Sequence, residues 1–296
     1  MSVNLPTHFV QQYSTNIQLL LQQKGSKLRG TVTNGSHVGK QASPVDQFGA
    51  VEMQSVSGRF NPMSRVDAAA DRRWVFPSDY DLPQLIDDFD KLRMLTDPSS
   101  AYVQNAVMAA GRQFDRLICS AFTGTAKTGE TGATSTSFTA ANEVDVAVGG
   151  ANSKLNVAKI KALRELMMSK HIDFDMEECF IGITAADHAS LLNEIQVVST
   201  DFNSRPVLVD GKITQFLGFN LVHCELIETA LAGTNEVTLP AWVKSGMYLG
   251  LWNDINNSVS RRHDLQGEPW QVYTKMTAGA TRLEENKVFA IESYRA

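Results

Sequence analysis

The chain is poor in cysteine, with three in 296 residues. Cys119, Cys179 and Cys224 are odd in number, far apart and set in apolar surroundings. Disulfide frameworks and structural zinc sites draw on close pairs, so buried free thiols and a reducing compartment are expected instead. Long hydrophobic runs are missing too. No stretch approaches the ~20 apolar residues of a membrane-spanning helix, and the first residues lack the charged n-region of a secretory signal. A soluble product made inside a cell is expected. Basic runs are also absent, and the net charge is −5. A protein that grips nucleic acid by counterion release usually carries a basic face or tail. This argues against tight nucleic-acid binding, though not against weak contact with packaged nucleic acid.

Catalytic signatures are absent as well. Gly39-Lys40 is followed by Gln41, and Asn34 stands where a phosphate loop needs its first glycine. The hexapeptide Thr277–Arg282 (TAGATR) combines glycine, hydroxyls and an arginine. It leads into an apolar strand instead of a helix N-terminus, so the main-chain donors that hold phosphate are missing. Gly279 is expected to make a turn between strands at Trp270–Tyr273 and Val288–Ile291, leaving Arg282 at an edge. The six histidines are dispersed, without a His-Glu-x-x-His pair. His223-Cys224-Glu225 holds three reactive types, but adjacent side chains of an extended segment point to opposite faces, so convergence is not expected. Asp173, Asp175, Glu177 and Glu178 lack the glycine of a calcium loop and read as a solvated acidic turn. Asp87, Asp88 and Asp90 read as an exposed helix start. No catalytic residue, metal or cofactor is expected.

What is present is an ordinary folded composition, 43% hydrophobic and 20% charged. Phe9, Val10, Tyr13, Ile17, Leu20 and Leu21 recur at helical spacing within residues 7–24, with Thr7 as cap and Gly25 as stop. Such a helix packs either on its own domain or on a neighbouring subunit. Residues 27–78 turn polar and glycine-rich, with short alternating pieces at Thr31–Thr33 and Val51–Val56 and a hairpin signal at Asn34-Gly35. A two-stranded arm is marginal alone in water. It needs another surface, and a neighbouring copy can supply one. Asp97-Pro98 then caps a helix whose apolar residues run from Val103 to Ala121, and Gly124 ends it. Its ~25 residues make a rod of roughly 37 Å. A Thr/Gly-rich loop or hairpin follows over 123–154. From residue 155, helices and strands alternate, with a buried strand at Cys179–Ile183, a strand at Pro206–Val209 before an Asp210-Gly211 turn, and further strands at Phe216–Val222 and Gly246–Trp252. Val288–Ile291 is apolar on both faces and should be internal.

This order of elements resembles a tailed-phage major capsid protein of the Hong Kong 97 type, over nearly the whole chain. Four segments carry the resemblance: RRWVFPSDYDLPQLIDDFDKLRMLTDP, SSAYVQNAVMAAGRQFDRLICSAFTGTA, VLVDGKITQFLGFNLVHCELI and WQVYTKMTAGATRLEENKVFAIES. It implies an α+β fold: an N-terminal arm (1–26), an extended β-hairpin loop (27–78), a peripheral domain (79–154 and 253–296) with a spine helix at 98–123, and an α/β axial domain (155–252). It implies a structural protein that forms pentamers and hexamers of an icosahedral virion shell enclosing double-stranded DNA, assembled in the bacterial host cytoplasm. The implied partners are copies of itself, a separate scaffolding protein, a portal and possible decoration proteins. About 26 residues precede the loop, too few for the fused scaffold of some relatives. Lys40 lies in the loop, but nothing marks a partner asparagine for the cross-links of others. Arg59, Arg72, Arg73 and Arg282 are the candidate inter-subunit contacts, Arg72 and Arg73 because the loop has little core of its own. Two alternatives remain: an encapsulin-like nanocompartment shell, and an α+β enzyme using dispersed residues such as Asp173, His188 and His223.

Overall fold

A computed structural model of the chain describes residues 22–39, 42–55, 58, 65–86, 99–194, 213–233 and 235–295. Several expectations lie outside the described residues: the 7–24 helix as far as residue 21, Lys40, Arg59, the cluster Asp87, Asp88 and Asp90, the Asp97-Pro98 cap, and the Pro206–Val209 strand with its Asp210-Gly211 turn. In chain order the elements are β1 (Thr33–Ser36), β2 (Ala42–Phe48), β3 (Ala70–Val75), β4 (Ser78–Ile86), α1 (Ser99–Thr123), β5 (Ala126–Thr128), β6 (Thr134–Thr136) and β7 (Glu143–Val144). Then follow α2 (Val157–Ser169), β8 (Cys179–Ile183), α3 (Ala185–Leu192), β9 (Gln215–Phe216), β10 (Phe219–His223) and α4 (Leu226–Ala230). The last are β11 (Glu236–Val243), β12 (Met247–Arg261), β13 (Trp270–Arg282) and β14 (Val288–Tyr294). They fall into two compact units.

The larger unit holds residues 27–78, 114–252 and 278–296. Its centre is a six-stranded sheet in the order β7-β14-β11-β8-β10-β9. Every residue of β8 is buried, as are Val288 to Ile291 of β14. Both strands are internal to the sheet, and burial of successive residues on both faces fits their unbroken apolar runs. Trp242 of β11 anchors this core, with its ring 4.6 Å from Phe122 and 5.8 Å from Phe180. Its indole N–H donates to the Thr31 carbonyl at 3.0 Å, so a large buried ring leaves no orphan donor. Helix α2 buries Ile160, Leu163 and Met167, spaced three and four apart along one face. Asn156 caps it by accepting the Lys159 N–H at 2.8 Å. Lys159 is fully buried, and its ammonium donates to the Ser153 and Glu292 carbonyls, both at 2.7 Å.

Four sequence expectations are corrected here. Asn34-Gly35 is not a hairpin turn but lies within β1, paired parallel with β12. Gly35 is needed for close approach, since a Cβ there would lie 1.6 Å from the Tyr248 hydroxyl. Residues 27–36 therefore belong to the body, with Leu28 and Val32 buried, and the hairpin is built from β2 and β3. Residues 51–55 form no strand and are exposed. Gly279 makes no turn, because Trp270–Arg282 is one continuous strand. A Cβ at Gly279 would lie 2.2 Å from the Phe76 carbonyl oxygen, so this glycine too serves close packing. Finally, β7 and β14, expected in the peripheral segments, share the six-stranded sheet with the expected axial strands. Pairing of β14 with β11 runs from Val288 to Tyr294 and fixes that placement.

The hairpin is not alone. Strands β2, β3, β5 and β6 form a four-stranded sheet in that order. The expected 123–154 hairpin supplies β5 and β6, and Trp74 of β3 donates to the Gly129 carbonyl at 2.7 Å. The smaller unit holds residues 79–113 and 253–277 with the described part of 1–26. Within it, Thr277 donates to Asp79 at 2.7 Å and Thr274 to Asn257 at 2.6 Å, linking β13 to β4 and β12. Gly111 of α1 lets the chain at Gly25 and Ser26 lie on the helix, since a Cβ would meet the Gly25 Cα at 2.7 Å. Arg112 holds the same segment through Gln22 Oε1 at 2.7 Å.

The C-terminal strand is locked by a buried cluster. Asp187 of α3 accepts from Thr184 Oγ1 at 2.7 Å, Ser293 Oγ at 2.6 Å and both terminal nitrogens of Arg295, at 3.0 and 2.5 Å. Burial alone would raise this carboxyl, but the hydrogen bonds from Arg295, Ser293 and Thr184 outweigh it and hold it below the usual carboxylate range. A folded value below the unfolded one adds stability above about pH 4 that is lost as pH falls through the folded value. Asp187→Asn is therefore predicted to cost about 3 kcal/mol near neutrality. Urea unfolding across a pH series should show the gap to the parent narrowing below about pH 4; a gap constant down to about pH 3 contradicts the assignment.

Candidate assembly surfaces and the arginine cluster

Arg72 and Arg73 are neighbours on β3, so their side chains leave opposite faces of the sheet. Arg73 points inward, with 6% of its side chain exposed, and its Nη2 lies 3.2 Å from Glu285 Oε1. Arg282, at the end of β13, is fully buried. Its Nε donates to the other Glu285 oxygen at 3.1 Å. Its Nη1 donates to the carbonyls of Ala121 at 3.2 Å, Phe122 at 2.9 Å and Gly124, while Nη2 reaches Thr136 at 3.4 Å. The carbonyls of Ala121, Phe122 and Gly124 lie at the C-terminal end of α1, where helical partners run out. A cation there also meets the negative end of the helix dipole. Burial pushes the Arg282 pKa down, Glu285 opposes that, and Arg73 reinforces it. Within the chain, Glu285 supplies the carboxylate to both Arg73 and Arg282, two of the candidate inter-subunit contacts.

Arg72 points outward. It pairs with Asp46, its cross-strand partner, at 2.5 and 3.2 Å. The hydrogen bond from Arg72 holds the Asp46 carboxyl below its ordinary value. Both side chains are half exposed, so the pair steadies the hairpin register more than it stabilises the fold. Around it the hairpin shows apolar side chains to solvent: Phe48, Val51, Met53 and Val66 are all exposed, Met53 fully. These four large apolar side chains all fall in the hairpin strand β2 and the link from β2 to β3.

The residues of the enzyme alternative separate. His188 and His223 line one cleft of about 650 Å³ with Lys27, Ile183 and Ile213, while Asp173 sits elsewhere, accepting the Asp175 N–H at 2.9 Å. His223 and Glu225 do converge, contrary to expectation, because residues two apart on an extended segment share a face. His223 Nε2 lies 2.6 Å from Glu225 Oε1, and Lys27 Nζ lies 3.4 Å from Nδ1, so both ring nitrogens are engaged. Cys224 points the other way and is buried. All three cysteines are buried and free. Burial, then Glu177, pushes the Cys179 thiol up to about 11. Glu177 and Glu178 of the acidic turn face Lys287 at 3.3 Å and Lys244 at 2.7 Å. No group of three or more metal-ligating side chains occurs among the described residues.

Sequence reasoning missed Glu285, Asp46 and the Asp187–Arg295 pair. Arg282 and Glu285 stand three apart, and that spacing was a usable signal. Asp187 and Arg295 stand 108 residues apart and leave no local trace.

The described elements make an α+β chain with a six-stranded sheet, a β2–β3 hairpin and a 25-residue helix. A family model described as phage capsid protein matches residues 5–294, and the chain belongs to that family. No curated protein sequence matches it. Among solved structures it is similar to the capsid structure of the Cyanophage P-SCSP1u, with 13% identity and a TM-score of 0.75 over 100% of this chain and 97% of that one. It is similar also to the Cyanophage Pam1 capsid asymmetric unit, with 10% identity and a TM-score of 0.72 over 100% and 99%. A chain from Mycobacterium phage Che8 gives 13% and 0.70 over 98% of both. At these identities the likeness establishes the fold, which is of the expected Hong Kong 97 type, and the family match favours the shell reading over both alternatives.

Arg282→Ala is predicted to cost about 3–5 kcal/mol, because Glu285 and the helix carbonyls lose their buried cation. Arg282→Lys should recover less than half, since a point charge cannot serve a carboxylate and several carbonyls together. Guanidinium unfolding midpoints measure both, and a loss below about 1 kcal/mol for Arg282→Ala contradicts the role.

Proposed function

We propose that this structural major capsid protein joins as pentamers and hexamers into an icosahedral shell around double-stranded phage DNA. The carrying observation is the family match over residues 5–294 in a chain whose hairpin exposes Phe48, Val51, Met53 and Val66. Burying those side chains against another copy would remove apolar surface from water at roughly 25 cal/mol per Å². Copies of a chain meeting through unlike surfaces form rings where the rotation closes, and rings of five and six build a closed shell. With a net charge of −5 the chain would hold DNA by enclosure, not by attraction. A separate scaffolding protein, a portal and decoration proteins are the further partners of this reading, and assembly takes place in the host cytoplasm. Of the four arginines named as inter-subunit contacts, half-exposed Arg72 is the described one best placed to meet a neighbour.

Expressed with its scaffold, the chain should sediment as megadalton particles visible by negative-stain microscopy. A monodisperse monomer or dimer under all conditions overturns the proposal. The triple variant Phe48→Ser, Val51→Ser, Met53→Ser should keep subunit stability within about 1 kcal/mol, because these residues are exposed. Particle yield should fall at least about tenfold, the effect of losing ~1.4 kcal/mol of association; unchanged yield removes the hairpin from the contact.

A further inference from the structure

Cys119 and Cys224 are nucleophilic side chains that the shell reading does not use, and both are fully buried. Cys119 lies on α1, four residues beyond Asp115 and on the same face. Asp115 accepts the backbone N–H groups of Lys27 and Leu28, both at 3.0 Å. The Lys27 ammonium in turn lies 3.4 Å from His223 Nδ1. Cys224 is the next residue, and its backbone N–H donates to the Ile183 carbonyl at 3.0 Å. Lys27 thus links the Asp115 face of α1 to the end of β10. There the Cys119 S–H donates to Cys224 Sγ, so the two thiols touch. The Leu226 backbone N–H donates to the same sulfur. Cys179 stands apart, its Sγ donating to the Glu177 carbonyl at 3.9 Å.

The contact makes the two thiols unequal. Donating to Cys224 raises the Cys119 pKa, and burial adds to the rise. Accepting from Cys119 lowers that of Cys224, with burial opposing and the Leu226 N–H assisting. Asp115 disfavours a thiolate at both positions, while Lys27 favours one at Cys224. Cys224 is therefore the sulfur that gives up its proton first and attacks, and Cys119 is the one that follows. Two sulfurs in hydrogen-bonding contact are near enough for side-chain rotation and small backbone shifts to close an S–S bond of ~2.05 Å.

We propose that Cys119 and Cys224 are an oxidisable pair, a covalent modification site whose disulfide ties α1 to the end of β10. The co-reactant is a hydroperoxide. The Cys224 thiolate attacks one oxygen of hydrogen peroxide and breaks the O–O bond. It becomes a sulfenic acid and releases hydroxide, which takes up the proton lost by the thiol and leaves as water. The Cys119 sulfur then displaces the sulfenic oxygen, which departs with the Cys119 proton as a second water. Two thiols lose two electrons and two protons, and the peroxide is reduced to two waters. The new bond closes a loop of about a hundred residues, which restricts the unfolded chain. On the shell reading, it forms when particles leave a reducing cell for oxidising surroundings. That timing rests on the shell reading, whereas the chemistry does not.

Treating the folded full chain with hydrogen peroxide tests this, followed by alkylation with N-ethylmaleimide in denaturant and peptide mass spectrometry. The expected product is a chain two hydrogen atoms lighter, with the Cys119 and Cys224 peptides joined and Cys179 alkylated. A reductant should reverse it. In Cys119→Ser, Cys224 should stop at a sulfenic acid that dimedone traps. In Cys224→Ser, Cys119 should remain an alkylatable thiol. Three alkylated cysteines in the parent, after a free thiol in the same tube has been fully oxidised, overturn the proposal, and so does a bond to Cys179. Dimedone on Cys119 in Cys224→Ser, with none on Cys224 in Cys119→Ser, overturns the choice of attacking sulfur. Should the variants fail to fold, the bond formed in the parent decides the matter.

Discussion

The Arg282 guanidinium holds the larger unit together at its most demanding point. The last turn of a 25-residue helix ends inside the protein, and its carbonyls must find donors there. Arg282 supplies them from the end of β13, while Glu285, three residues on, balances the charge and draws in Arg73 from the hairpin strand. One side chain thus ties helix, return strand and hairpin root. A buried charge of this kind is expensive to strand, so the three elements keep their places together or fail together.

That fixed root explains the contrast with what grows from it. The body holds the Trp242–Phe122 contact, the fully buried strand β8 and the buried residues Val288 to Ile291 of β14. Beyond it, the hairpin has a half-exposed Arg72–Asp46 pair and a row of exposed apolar residues. In the proposed shell, that row of exposed apolar residues is the surface another copy covers.

Much of this was legible in the sequence where one force dominated. Val103 to Ala121 show a helix because a long amphipathic stripe has no rival reading, and Gly124 ends it as expected. Val288 to Ile291 are apolar on both faces, and they form the buried part of β14, an internal strand between β7 and β11. The glycines misled. Gly35 and Gly279 carry turn-like contexts, yet both are in strands, placed there so that Tyr248 and the Phe76 backbone can approach. Turn propensity is local, whereas close approach depends on a partner about two hundred residues away, and no window reveals it. The same holds for Asp187 with Arg295 and for Arg73 with Glu285. Arg73 stands in the loop expected to have little core and Arg282 was expected at an edge, and within this chain both meet Glu285.

The central claim is that the body folds on its own and the hairpin is completed by another copy. A cryo-electron microscopy map of the assembled particle tests it most directly. The account predicts Phe48, Val51 and Met53 packed against a neighbouring chain, with Arg282 still inside its own chain on Glu285 and the end of α1. A map in which those apolar side chains face solvent, or fold back on their own body, would contradict it.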